Sequence, residues 1–354
     1  MNTNYIQYLE NLLLVLKREG ASDLHLSHGR KPIMRVEGDL ITMENYDVLS
    51  KDDTFNILKE LVDEQKISNI LHREEIDFSY SYKGEMRLRA SAYLQDEGIN
   101  LAFRVIQEVR ELEDLNLPPI LETFAQKEQG LFLIVGPVGQ GKSTTMAAII
   151  SKINQSRKER IITIENPVEY LFHDNLSIIE QREVGADTLS FETGLKSLFR
   201  QDVNVIMVGE MRNPETISTV VTAAETGHLV FSTLHTNNAA QTVDRIIDSF
   251  PAAQQNQVRT QLAGSLIGIF SQRLLKSQRG GMVPVYELMI NTPGIANLIR
   301  EGRTHEINTL IETGFEHGMI DMNRSLIELV QTGHITIDDA RRHSLNPKLL
   351  DSMI

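Results

Sequence analysis

The sequence has no cysteine in its 354 residues. That excludes disulfides and thiolate-ligated metal sites, and it is compatible with a reducing cytoplasm. There is no surplus of positive charge either. Against 48 Asp and Glu stand 35 Lys and Arg, for a formal net charge of −13. This balance argues against a general nucleic-acid or anionic-membrane binder. No apolar run approaches the roughly eighteen residues that a bilayer span requires. The apolar stretch Leu12-Leu13-Leu14-Val15-Leu16 follows Glu10 rather than a basic segment, and it is too short for a signal sequence. It reads as a helix that packs on its own domain and ends near Gly20. Any membrane contact is therefore expected through a partner protein. There is no low-complexity tract and no repeat at solenoid spacing. What remains is 41% hydrophobic and 23% charged, an ordinary composition that can bury real cores, at a length that favours two domains.

The chain up to about Val109 mixes strands and helices. Pro32–Leu40 reads as strand, turn and strand, with Gly38-Asp39 as the turn. Asp52–Leu71 carries apolar residues at helical spacing. Asp77–Tyr82, Met86–Leu94 and Ile99–Ile106 alternate like strands of an antiparallel sheet. Arg87 and Arg89 share one face of that sheet by the period of two; with Arg104 they read, from spacing alone, as a solvated face. Residues 110–119, charged and then closed by Pro118-Pro119, are expected to be a linker. The second region, 120–354, has short apolar runs at Leu131–Gly136, Ile161–Glu165, Val205–Glu210 and Leu229–Leu234, separated by helical segments. This pattern predicts α/β architecture with a mainly parallel sheet and helices on both faces. Asn213, Pro214 and Gly227 bracket a helix.

Gly136-Pro137-Val138-Gly139-Gln140-Gly141-Lys142-Ser143-Thr144 matches the phosphate-loop pattern G-x-x-x-x-G-K-[ST], with an apolar strand before it and a helix after it. Glycines let backbone N–H groups turn toward phosphate oxygens, and the helix N-terminus adds its own. Lys142 is expected on the β- and γ-phosphates and Ser143 on Mg²⁺, which makes ATP and Mg²⁺ the expected ligands. Polar residues at the carboxyl ends of the strands are the candidates for chemistry. Glu169 is assigned to the attacking water. Glu210, at the end of an apolar run, is assigned to the metal shell. Glu165 is either a catalytic group or a carboxylate bound to backbone N–H groups. His228 and His235 stand at the two ends of one apolar strand, roughly 23 Å apart, too far to share a metal ion without a bend. One is expected near the phosphates as a hydrogen-bond donor and the other as a brace of the sheet or of a subunit contact; the alternative is a pair of structural histidines.

Taken together and in order, Ala21–Ser27 (ASDLHLS), GPVGQGKST, IENPVEY, RQDVNVIMVGEMRN, ETGHLVFSTLHT and Gly294–Glu301 (GIANLIRE) resemble the signatures of the secretion ATPase superfamily, most closely its type IV pilus retraction ATPases. The resemblance implies a PAS-like N-terminal domain over 1–109 and a RecA-like ATPase domain over 120–354, assembled as a homo-hexamer. It implies nucleotide held between the two domains, with Arg87, Arg89 and Arg104 approaching the phosphates as sensors. Glu169 then matches the catalytic glutamate, Glu210 the Walker B glutamate, and His228 and His235 the two histidines of the His box. It further implies a cytoplasmic motor at the inner face of the cytoplasmic membrane. The motor would act on a PilC-like inner-membrane platform protein and work beside other pilus ATPases; no nucleic acid is expected as partner on the acidic balance, which leaves a nucleic-acid translocase as a distant alternative.

The chain departs from the family at several positions. Asn166 stands for Asp, Asn204 and Asn213 for common Asp residues, Asp96-Glu97-Gly98 for an Arg-Gly pair, and Ala296 for an arginine of the C-terminal motif. Ala296 leaves room for an accessory, PilU-like role. The alternatives are a secretion or pilus-assembly ATPase, disfavoured by the lack of a four-cysteine zinc element, and a slowly hydrolysing, nucleotide-regulated structural ring.

Overall fold

The computed structural model describes residues 4–353 apart from 37, 84, 85 and 97, and the chain divides into two compact units, Met1–Gln107 and Glu108–Ile354. Glu97, one of the departures noted above, lies outside the described residues.

The first unit begins with α1 (Tyr5–Glu19), capped by the Asn4 side chain and closed by Gly20 at φ 63°. A left-handed C-terminal residue of this kind favours glycine. Leu9, Leu12, Leu13 and Leu16 line its buried face. Six antiparallel strands follow: β1 (Asp23–Ser27), β2 (Ile33–Val36), β3 (Asp39–Thr42), β4 (Ile76–Tyr82), β5 (Met86–Gln95) and β6 (Gly98–Val105), in the order β3-β2-β1-β6-β5-β4. Residues 52–71 are not one helix. They form α2 (Lys51–Lys59) and α3 (Glu64–Leu71), because Asp63 accepts a hydrogen bond from the Lys66 N–H and starts a new helix there. On β5, Met86, Leu88, Ala90 and Ala92 are buried while Arg89 and Tyr93 are exposed. This is the alternation of a sheet with one buried face.

The division between the units falls within the short strand β7 (Gln107–Glu108). Residues 110–119, read above as a linker, lie within the second unit, where Leu112 and Leu117 are buried in its core. After α4 (Leu121–Ala125), the elements that build the sheet are β8 (Gly130–Val135), α5 (Lys142–Ser156), β9 (Arg160–Glu165), β10 (Tyr170–Leu171), β11 (Ile178–Glu183), α6 (Phe191–Leu198), β12 (Val205–Val208), α7 (Pro214–Glu225), β13 (Leu229–Leu234), α8 (Ala239–Asp248), α9 (Ala252–Ser265), β14 (Leu266–Lys276) and β15 (Met282–Ile290). Seven strands pair in the order β11-β9-β12-β13-β8-β14-β15, parallel throughout except for the β14–β15 hairpin. Residues of β8 alternate between two cores. Leu131, Leu133 and Val135 pack with α6 to α9, whereas Phe132 and Ile134 pack with α5. The parallel sheet with both faces covered is the architecture its apolar runs predict.

The C-terminal motif lies on α10 (Pro293–Glu301). There Ile295, Ala296, Leu298 and Ile299 join the core while Arg300 is exposed. After α11 (Ile307–Thr313), the helices α12 (Met322–Gln331), α13 (Ile337–His343) and α14 (Pro347–Met353) pack around Leu275, Val283 and Val285 of the hairpin.

Candidate nucleotide site

β8 delivers a fully buried strand to the glycine loop, and α5 begins at Lys142. The loop needs its glycines for two physical reasons. Gly136 has φ 149° and its missing Cβ would come within 2.3 Å of the Gln272 carbonyl; Gly141 has φ 76° and would meet Gln272 Nε2 at 2.9 Å. Gly141 is the N-cap of α5, and no side chain caps that helix. The neighbouring α6, α7 and α8 are capped by Ser190, Asn213 and Asn238. The first N–H groups of α5 are thus left for an anion.

Lys142 is buried and turns back over its own loop, donating to the carbonyls of Gly136 and Pro137 at 2.8 Å each. Burial pulls its ammonium below the ordinary lysine range, while the carboxylates of Glu169 and Glu210 oppose that. Its Nζ also lies 3.3 Å from His235 Nδ1, and His235 Nε2 lies 3.4 Å from Glu210 Oε2. In this arrangement Nδ1 faces the ammonium as an acceptor and Nε2 faces the carboxylate as a donor. Glu210 is largely buried and also pairs with Arg212 at 2.7 Å. β12 ends at Val208, two residues before Glu210, so the carboxylate sits on the loop after the strand rather than on the strand itself.

Glu165 ends β9 in the core. Its carboxylate accepts from the Thr163 hydroxyl (2.7 Å), the Gln181 amide (3.2 Å) and the Glu169 backbone N–H (3.4 Å). Burial raises its pKa above the ordinary carboxylate value against those hydrogen bonds. It is tied to the loop 166–170, which presents Glu169 to solvent. Of its three donors two are side chains and one, the Glu169 N–H, is backbone. The same loop is fixed by Gln181, which donates to the Tyr170 carbonyl, and Tyr170 in turn shares a 2.6 Å hydrogen bond with Thr144 of α5. Ser143, half-buried in the first turn of α5, and Glu210 supply one hydroxyl and one carboxylate. Among the described residues no group of three or more His, Asp or Glu side chains is set to hold a metal ion. One hydroxyl and one carboxylate fit Mg²⁺ held mostly by phosphate oxygens and water.

His228 is not brought to this site within the chain. It precedes β13, next to the start of β8, where its carbonyl accepts from Gly130 N–H. Its Nδ1 lies 3.0 Å from the Ala223 carbonyl and its ring meets Phe199 edge-on. Of the two histidines His228 is the one away from the glycine loop: the six residues of β13 separate it from the loop by about 20 Å.

The three arginines lie on the first unit. Arg89 and Arg104 face each other across β5 and β6. Arg104 is exposed and donates to Asp23 at 2.8 Å, while Arg89 lies 3.9 Å from Asp77. Burial would raise the Asp23 carboxyl, but hydrogen bonds from Ser22 and Arg104 hold it below its ordinary range. Sequence reasoning missed Gln272, Gln181 and Tyr170. The sign for Gln272 was a polar stretch, Ser271-Gln272-Arg273, between the apolar residues of Leu266–Leu275.

A glycine loop between an interior strand of a mainly parallel sheet and an uncapped helix, with a lysine in its first turn, defines the P-loop nucleotide-binding class. A family model described as "Type II/IV secretion system protein" matches residues 6–333, and the chain belongs to that family. It is 39% identical to the type IV pilus retraction ATPase PilT of Pseudomonas aeruginosa, covering 96% of this chain and 99% of that protein. It is also 39% identical to the type IV pilus ATPase PilU of the same organism, covering 98% and 91%. The crystal structure of the pilus retraction motor PilT with bound ADP matches at a TM-score of 0.90 and 40% identity, over 97% of this chain and 99% of that one.

Proposed function

We propose that this chain is a Mg²⁺-dependent ATPase that powers retraction of type IV pili. One observation carries the enzymatic half. The uncapped start of α5, Lys142, His235 and Glu210 are gathered around one glycine loop at the carboxyl edge of the sheet. The near full-length likeness to PilT and its ADP complex supports the pilus half.

In this reading the backbone of Gly136, Pro137, Val138, Gly139, Gln140 and Gly141 cradles the phosphates of ATP, joined by Thr144. Lys142 exchanges its two loop carbonyls for phosphate oxygens. Ser143 and Glu210 hold Mg²⁺, which neutralises phosphate charge when bound. Glu169 orients water toward the terminal phosphate, on a loop that Glu165 fixes from below. His235 links Lys142 to Glu210, so a change at the phosphates reaches both. Arg87, Arg89 and Arg104 of the first unit stabilise the transferring phosphate. Loss of kcat in an Arg104→Ala variant, without loss of nucleotide affinity, supports that role; an unchanged kcat removes it.

The working form is a homo-hexamer in the cytoplasm, at the inner face of the cytoplasmic membrane. It acts on a PilC-like platform protein and on no nucleic acid. Among the described residues no helix is long and apolar enough to cross a membrane, so this reading places the contact in the platform protein. Equal identity to PilU favours one second reading, an accessory motor beside a primary one. Deletion of the gene tests both. Surface pili retained with loss of twitching supports the primary motor. Retained twitching with weakened force supports the accessory role. Loss of surface pili refutes both in favour of an export ATPase.

A further inference from the structure

Gln272 sits in the middle of β14 with 3% of its surface exposed. A glutamine so placed must satisfy both ends of its amide or lose stability. Its Nε2 donates to the Gln140 carbonyl at 2.8 Å, and its Oε1 accepts from the Thr145 hydroxyl at 2.6 Å. Gln140 returns the contact, its side-chain Oε1 accepting from the Leu274 N–H at 2.8 Å. The Gln272 carbonyl lies against Gly136, where no side chain fits. One residue of β14 therefore touches the loop at its first glycine, holds its peptide at Gln140 and fastens the first turn of α5 through Thr145.

We propose that Gln272, with Gln140 as its reciprocal partner, is a positioning residue for the phosphate loop. The proposal rests on the reading of Gly136–Ser143 as the nucleotide cradle. Gly136, Gly139 and Gly141 all have positive φ, and a segment so rich in glycine loses much conformational entropy when ordered. Here the order is imposed before the ligand arrives, by hydrogen bonds from a strand 132 residues away in sequence. Preorganisation of this kind raises affinity by lowering the cost of binding. It acts on the cradle common to ADP and ATP, not on the terminal phosphate, so its loss weakens both nucleotides alike and leaves the chemical step in place.

The test compares the full chain with Gln272→Met, which keeps length and lacks donor and acceptor, and Gln140→Ser, which removes only the return bond. Titration with fluorescent mant-ADP and mant-ATP is paired with steady-state phosphate release. For Gln272→Met, Kd for both nucleotides and KM rise roughly tenfold while kcat stays within about twofold; for Gln140→Ser the rise is about threefold. Unchanged Kd in both variants, or a fall in kcat at unchanged Kd, overturns the proposal. If Gln272→Met fails to fold and Gln140→Ser binds like wild type, the role is structural only and the proposal falls. Wild-type protein that binds neither nucleotide brings down the loop reading itself, and this proposal with it.

Discussion

The two ends of β13 carry the same side chain in different company. At its carboxyl end His235 is half-exposed and stands between Lys142 and Glu210. At its amino end His228 lies beside the Ala223 carbonyl and the Phe199 ring, and among the described residues no ion pair joins it there. The sheet explains the contrast. In parallel strands every carboxyl end points to the same edge, and the loops that leave it are free to present polar groups. Lys142, Glu169, Glu210 and His235 all follow strands. The amino edge receives chain from helices that must close onto the core, as α7 does through Thr226 and Gly227. Chemistry thus follows strand direction, and residue type alone does not mark it.

The largest expected effect breaks the carboxyl edge at its centre. Lys142→Ala removes the one buried ammonium of the loop and should weaken mant-ATP binding by roughly 10²–10³, with no measurable turnover. Binding that survives with wild-type Kd removes the phosphate role. Glu169→Gln comes next. It keeps the loop and the backbone bond to Glu165, so nucleotide affinity should hold while kcat falls roughly 10²–10⁴. Equal phosphate release by the variant and wild type ends the assignment of the attacking water to Glu169.

The histidine pair tests the comparison directly. His235→Ala is expected to lower kcat by roughly 10–10². His228→Ala should leave turnover of the isolated chain within about twofold and cost about 1 kcal/mol of stability, the worth of one hydrogen bond and a ring contact. If the two variants lose the same activity at equal stability, the edges are not functionally distinct within one chain. A loss in His228→Ala that appears only on assembly places its role between subunits.

The parts of the molecule legible in the sequence are those fixed by local pattern. The strand Leu229–Leu234 and the strand before the glycine loop are apolar runs bounded by polar or glycine residues, and α7 carries its own cap at Asn213 and proline at Pro214. The likeness to the secretion ATPases rests on six short motifs, which the sequence states outright. Two local signals were masked. Asp63 looks like any exposed acid until its side chain is seen on the Lys66 N–H, so the apolar period of α2 and α3 reads as one helix. His228 and His235 are equivalent on a strand whose neighbours are unknown; the parallel pairing with β8 distinguishes them. Gln272 was hidden for a different reason. Its partners lie 127 and 132 residues away, and no pattern in β14 points to them.

The smallest expected effect on turnover concerns a second buried acid at the carboxyl edge, and it sharpens the comparison through pH. Glu287 of β15 accepts from Ala239 N–H at the start of α8 and from the Ser271 hydroxyl. Burial pushes its carboxyl up to about 7, with Asp321 adding to the rise while the Ala239 and Ser271 bonds and Arg273 oppose it. The sign follows from where the proton sits. Between the unfolded value near 4.5 and the folded value near 7, the folded chain holds a proton that the unfolded chain has released. Stability from this group is therefore full at low pH and falls as pH rises through that window. Glu287→Gln keeps the acceptor for Ala239 and cannot ionise. At pH 8 it should be the more stable protein by about 3 kcal/mol and at pH 5 by less than about 1 kcal/mol, with phosphate release unaltered. Urea midpoints at the two pH values measure it. A stability difference independent of pH would mean that Glu287 stays charged in the fold. The carboxyl edge would then be stabilised by a carboxylate at the start of α8, and the slope expected here would be absent.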